Sequence, residues 1–100
     1  MLKIRIPNEA GNAALSDPEF GKKMNQLLTR IKAKSAYFST MDGQRGGYVI
    51  VDVKNASDIP GIAEPWFLWL KADVSFEPVM RLEDLAKAGK SIGAAVRKYG

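Results

Sequence analysis

The segment Asp42-Gly43-Gln44-Arg45-Gly46-Gly47-Tyr48-Val49-Ile50-Val51-Asp52-Val53 closes with the clearest strand of the chain, Tyr48 to Val53. Its valines, isoleucine and tyrosine fit a pleated, half-buried surface. Asp42-Gly43 through Gly47 reads as a hairpin turn, because Asp-Gly and further glycines reach positive φ at little steric cost. The hairpin needs a partner strand just before it. Ala36 to Met41, rich in aromatic and hydroxyl side chains, supplies one. An antiparallel pair thus occupies the middle of the chain.

Upstream, Ser16-Asp17-Pro18-Glu19 has the form of a capping box, with Ser16 as N-cap, Glu19 at the third helical position and Pro18 in the first turn. Leu15 and Phe20 can close a hydrophobic staple around it. Phe20, Met24, Leu27, Leu28 and Ile31 then recur at helical spacing, with Lys22, Lys23, Gln26, Arg30 and Lys32 elsewhere on the cylinder. Lys32 and Lys34 stand where cations suit the helix dipole. Asn8 to Ala14 reads only as a loose helical turn. Before it, Leu2, Ile4 and Ile6 alternate with Lys3 and Arg5, a first strand that ends at Pro7.

Downstream, Ser57 or Asp58 caps a second helix, which Pro65 must kink or restart. Ile59, Ile62, Ala63, Trp66, Phe67 and Leu70 form its expected buried side. Trp66 and Trp69, three residues apart, share a side suited to core packing or a dimer contact. Val74, Phe76, Pro78 and Met80 alternate with polar residues in a last strand, where Pro78 suggests a sheet edge. A terminal helix starts at Leu82 and is capped near Gly89, followed by a basic, Ala-rich tail.

The order is βαββαβ plus a C-terminal helix, in one domain over residues 1–100. This is an α+β, ferredoxin-like arrangement: an antiparallel sheet with two helices on one face. Two helices cover one face only. With the first strand between the third and fourth, Val49, Val51, Val53, Val74 and Phe76 join Leu2, Ile4 and Ile6 on the helix side. The uncovered face carries Lys3, Arg5, Tyr48, Ile50, Asp52, Ser75 and Glu77, with Tyr37 and Ser39 beside them.

Composition narrows the chemistry. The chain has 46% hydrophobic and 26% charged residues, ordinary for a globular domain, and a net charge of +4. It has no cysteine and no histidine. Disulfides, thiolate nucleophiles, iron–sulfur clusters, His-containing triads and His-ligated metals are therefore excluded, and no metal or cofactor site is expected. The apolar cluster Pro65–Leu70 is too short to span a bilayer, and the start alternates apolar and charged residues rather than forming a signal peptide. A cytoplasmic protein without a membrane partner is expected, with Asn55-Ala56-Ser57 a polar turn rather than a glycosylation site.

Three uses of the uncovered face can be weighed. Arg45-Gly46-Gly47-Tyr48-Val49-Ile50 is briefly similar to an RNA-recognition signature, but the base-stacking positions fall on Gly47, Val49 and Asp52, and the first strand offers Lys3. No specific nucleic-acid binding is expected. Gly89-Lys90-Ser91 matches the end of a phosphate-binding loop, but Asp84 stands where the upstream glycine belongs and no strand leads into it. The third use is a small-molecule site. Arg5, with Glu77 and Asp52 nearby, could orient an organic acid while Tyr48 donates a hydrogen bond. Against it stands mutual neutralisation of cross-strand charges on a solvated face.

Ile62-Ala63-Glu64-Pro65-Trp66-Phe67, followed by Ala72-Asp73-Val74-Ser75-Phe76-Glu77-Pro78-Val79-Met80, resembles an uncharacterised bacterial family of the dimeric α+β barrel superfamily. The likeness runs from the first strand to about Gly89. That superfamily includes muconolactone isomerases, antibiotic-biosynthesis monooxygenases and haem-degrading relatives. The resemblance implies a homodimer whose two open sheets enclose a cavity. It supplies no catalytic residue, and the absence of histidine departs from the haem-binding members. The resulting expectation is the binding or transformation of a small organic, anionic molecule between the two sheets, held by Arg5, Tyr48, Asp52 and Glu77. A non-catalytic structural or regulatory interaction module is the alternative.

Overall fold

A computed structural model describes residues 1–100. Strand β1 (Leu2–Ile6) buries Leu2, Ile4 and Ile6 and exposes Lys3 and Arg5, as its alternation predicts. It is central. β2 (Ser35–Met41), β3 (Gln44–Ile50) and β4 (Asp73–Phe76) complete a four-stranded antiparallel sheet in the order β2-β3-β1-β4.

The hairpin is tighter than its glycines suggest. Asp42 and Gly43 alone make the turn, both with positive φ (50° and 79°), and Met41 already pairs with Gln44. This two-residue geometry matches the natural twist of the flanking strands. Gly46 and Gly47 therefore lie inside β3 rather than in the turn. A Cβ at Gly47 would stand 2.6 Å from the Tyr37 carbonyl oxygen, and one at Gly46 would collide with the Ile4 carbonyl and lie 2.8 Å from Met41 Sδ. Close backbone approach, not turn conformation, requires these two glycines.

One face of the sheet carries the core. Helices α2 (Phe20–Arg30) and α3 (Ile59–Leu70) lay Met24, Leu27, Ile62, Trp66 and Leu70 across Leu2, Ile4 and Val49. Helix α3 runs through Pro65 without a break. Its buried stripe is Ile62, Ala63, Trp66 and Leu70, while Ile59 and Phe67, expected inside, are exposed. Trp69 stays partly buried and packs on Phe20, ring centroids 5.5 Å apart.

Three further expectations are corrected. Asn8–Leu15 is a full helix, α1, not a loose turn. It ends at Ser16, whose hydroxyl donates back to the Asn12 carbonyl, so the expected cap is consumed by the preceding helix. Asp17 instead closes the turn before α2, accepting the Glu19 N–H at 2.9 Å, and α2 itself starts after Glu19 without a side-chain cap. β3 and β4 stop at Ile50 and Phe76, so Val53 is exposed and Pro78 lies beyond the sheet.

The C-terminal region departs most. α4 (Leu82–Lys87) gives way at Ala88 to a further helix, α5 (Gly89–Tyr99), where a cap and a tail were expected. Gly89 opens α5 instead of ending α4. Neither helix buries a residue. The molecule spans 57 Å on its long axis with a radius of gyration of 17.3 Å, against about 13 Å for a compact chain of this length. The two helices form a projecting arm.

Candidate functional site

Antiparallel register determines which side chains meet on the uncovered face. Lys3 lies opposite Tyr48 on one side and Ser75 on the other. Tyr37 faces Tyr48 across the β2–β3 ladder, and Ile50 faces Ser35. Two tyrosines, an isoleucine and two cations thus share this surface. Arg5 stands opposite Asp73 and donates to its Oδ2 at 3.0 Å; Asp42, at the hairpin turn, lies 3.6 Å from the other guanidinium nitrogen. Both partners are well exposed, so the ion pairs are solvent-screened and weak. Lys3 forms no ion pair.

The expected set of Arg5, Tyr48, Asp52 and Glu77 is divided between two places. Glu77 does not position Arg5. The register that pairs Leu2 with Phe76 sets Glu77 beside Met1, where its N–H donates to the Met1 carbonyl and its carbonyl accepts from the chain's amino terminus at 2.7 Å. Four residues of strand, roughly 13 Å, separate that level from Arg5. Asp52 likewise lies past the end of β3, where it pairs with Lys34 at 2.9 Å.

Asp52 and Glu77 do share a feature. An open crevice of about 1150 Å³ lies where the strand ends meet α4, lined among others by Ile50, Phe76, Met80, Lys34, Asp52 and Glu77. Arg81 and Lys87 add cations on the arm side, and Glu83 and Asp84 add carboxylates. The Asp52 carboxyl is held below its ordinary value of 3.8 by the hydrogen bond from Lys34, then by the charges of Lys34, Lys54 and Arg81. It is therefore an anion at neutral pH, suited to holding a cation and ill suited to donating a proton. Tyr48 and Arg5 do not line this crevice.

Sequence reasoning overlooked Asp73, Asp42 and Lys34. All three sit on or beside strands it had recognised. The missing quantity was register, which alternation leaves undetermined because it specifies a face and not a position along it. A second crevice of about 720 Å³ lies between α2 and α3, lined by Leu27, Arg30, Glu64, Leu68 and Trp69 among others. No helix is long and apolar enough to cross a membrane. Comparison of the chain with protein-family models, with curated proteins and with solved structures finds no match.

Proposed function

We propose that this chain is a ferredoxin-like domain whose copies pair across their uncovered sheet faces, as in a dimeric α+β barrel, and hold a small organic anion between them. One observation carries the reading: the sheet packs its core on one side only, and the other presents Lys3 and Arg5 on its central strand beside Tyr37, Tyr48 and Ile50. Burying that surface against a copy of itself would remove the tyrosines and isoleucine from water. Within such a cavity Arg5 remains the anion anchor. Asp73 accepts one of its five N–H groups at 3.0 Å and Asp42 stands 3.6 Å from a second guanidinium nitrogen, leaving further donors for a carboxylate, and Lys3 supplies a second, unpaired cation. Tyr48, opposite Lys3 on the neighbouring strand, would donate the hydrogen bond. Asp52 and Glu77 belong to the crevice at the sheet's end, where they would border the entrance.

Light scattering at micromolar concentration should return twice the 11.0 kDa chain mass. A thermal-shift screen of small carboxylic acids, lactones and phenols tests the ligand. Saturation at about 100 times the dissociation constant adds roughly 2.7 kcal/mol, a melting shift on the order of 10 °C in a domain this small. Arg5→Met should remove the shift and leave the unliganded fold intact. A shift that survives in Arg5→Met refutes the anchor.

A second reading, a non-catalytic interaction module, is favoured by one feature, the exposed apolar side chains of the C-terminal arm.

A further inference from the structure

The two edges of the sheet are finished differently. β4 is four residues long, opens on Asp73 and leads towards Pro78. Short strands, charges and proline are the usual guards of a sheet edge. β2 has none of them. Its seven residues, Ser35–Met41, include no charge, proline or glycine, and they pair with β3 residue for residue, without a bulge. No other element covers the middle of the strand. Tyr37, Phe38, Ser39 and Thr40 are all exposed, the two aromatic residues by 62% and 60%. In a chain with 26% charged residues, this uncharged edge is where a further strand can add.

Backbone polarity selects the occupant. The two-residue turn closes on Met41 and Gln44, so that pair is hydrogen-bonded, and along an antiparallel ladder the bonding alternates. Ser35, Tyr37, Ser39 and Met41 therefore turn their N–H and C=O toward β3, while Ala36, Phe38 and Thr40 turn theirs outward. The Tyr37 carbonyl oxygen lies against Gly47, as this requires. Of the outward groups, the Thr40 carbonyl meets the Ser39 hydroxyl at 3.4 Å, a long contact. The outward set is symmetric about Phe38. A second β2 running antiparallel places Phe38 on Phe38 and Ala36 on Thr40, and each such pair exchanges two hydrogen bonds. Lys34 and Asp42, equally far from Phe38 in sequence, then come level with each other. Both stay exposed, although Lys34 pairs with Asp52 and Asp42 lies beside Arg5. A foreign peptide fits less well, because added strands are selected by side-chain pockets beside the edge. The crevices at the sheet end, between α2 and α3 and beside α1 include none of residues 36–41.

We infer that β2 is a self-association edge, pairing antiparallel about Phe38 with β2 of a second copy so that the two sheets become one. The contact is isologous and closes on itself, because each copy has a single unguarded edge. It uses the rim of the sheet and not the uncovered face, and it stands whether or not those faces pair.

The chain has no cysteine, so one introduced cysteine reports register in the full chain. Hydrogen-bonded antiparallel partners stand about 5.5 Å apart at Cα, within reach of a disulfide. Under mild oxidation an equimolar mixture of Ala36→Cys and Thr40→Cys should give the mixed disulfide, and each variant alone should give little. One strand on one strand is a small interface, and small interfaces are weak. Sedimentation velocity should therefore show the contact toward millimolar concentration, above the micromolar range that tests the faces. Phe38→Lys, at an exposed position, sets like charges on the two-fold axis and should raise the dissociation constant tenfold or more. Mixing it with Phe38→Glu should regain much of the loss. Tyr48→Arg, on the uncovered face, should leave edge pairing intact, so loss of one contact is distinguishable from loss of the other. The inference is overturned if the mixture forms no mixed disulfide, or if each cysteine variant cross-links with itself as readily. It is also overturned by a Phe38→Lys dissociation constant equal to wild type, or by open-ended fibres in place of a closed pair.

Discussion

At the scale of single residues, Asp17 has the most specific consequence. Its carboxylate accepts the Glu19 N–H and sits 2.6 Å from Lys23 Nζ. The Lys23 hydrogen bond, followed by the Glu19 N–H, lowers the Asp17 carboxyl below its ordinary 3.8; the same pair raises the Lys23 ammonium above 10.5. A lowered carboxyl binds fewer protons folded than unfolded, so its contribution is present at neutral pH and fades as pH falls through the folded value. The raised lysine acts in the opposite sense, its contribution complete below 10.5 and fading as pH rises through its folded value. Urea denaturation of wild type and Asp17→Asn should differ by a constant amount near neutrality and converge as pH drops below 3.8. Ser16→Ala, by contrast, should stay within about 0.5 kcal/mol, since Ser16 caps nothing in α2. Ser16 is a good N-cap by type. What takes it out of that role is the length of α1, which the weak apolar pattern of Asn8–Leu15 does not disclose. Gly46→Ala should destabilise by roughly 1–3 kcal/mol, because the added methyl meets backbone that cannot yield. Lys32 points the other way. It ends α2 in the left-handed region (φ 56°) with Ala33 N–H on the Leu28 carbonyl, and Lys32→Gly should stabilise by up to about 1 kcal/mol.

At the scale of elements, α2 and α3 differ in how plainly their sequences declare a face. In α2 the apolar residues form one stripe amid lysines, and the buried pair Met24 and Leu27 falls on it as predicted. Leu28, on the stripe's margin, is half-buried. Leu27→Ala should therefore cost roughly 2–5 kcal/mol in chemical denaturation. In α3 nearly every position is apolar, so periodicity cannot distinguish inside from outside. Leu68 is 70% exposed while Leu70 is fully buried. Leu68→Ala should cost no more than about 0.5 kcal/mol, whereas Leu70→Ala should match Leu27→Ala. If Leu68→Ala proves the costlier of the α3 pair, that helix is rotated from the orientation described. The end of the chain differs from its expected form for a different reason. Glycine commonly stops a helix by adopting positive φ, but Gly89 stays right-handed and a new helix continues from it.

At the scale of the molecule, the order of the four strands and the two core helices is legible in the sequence and the register is not. Two helices, four strands and alternating valines were enough to leave one sheet face bare. Moving Arg5 from the predicted Glu77 to Asp73 required the Leu2–Phe76 pairing, which no local pattern contains. The arm gives this scale its own measurement. Residues 77–81 link it to the sheet without helix or strand, and Arg81 in that link is exposed. Brief trypsin treatment should cut first at or beyond Arg81 and leave a resistant fragment holding the sheet and α1–α3. Early cutting at Lys3 or Arg5 instead would mean that the sheet opens before the arm is lost.

The position of β1 carries one more consequence, in time rather than space. As the central strand it needs β3 and β4 on its two sides, yet Met1 and Glu77 are 76 residues apart in the chain. A ribosome therefore delivers the middle of the sheet first and its last partner only after residues 73–76 emerge. Until then Leu2, Ile4 and Ile6 have no finished surface to cover them. Closure of the sheet is a late, long-range event, and during synthesis the first strand is the part of this protein most in need of shelter.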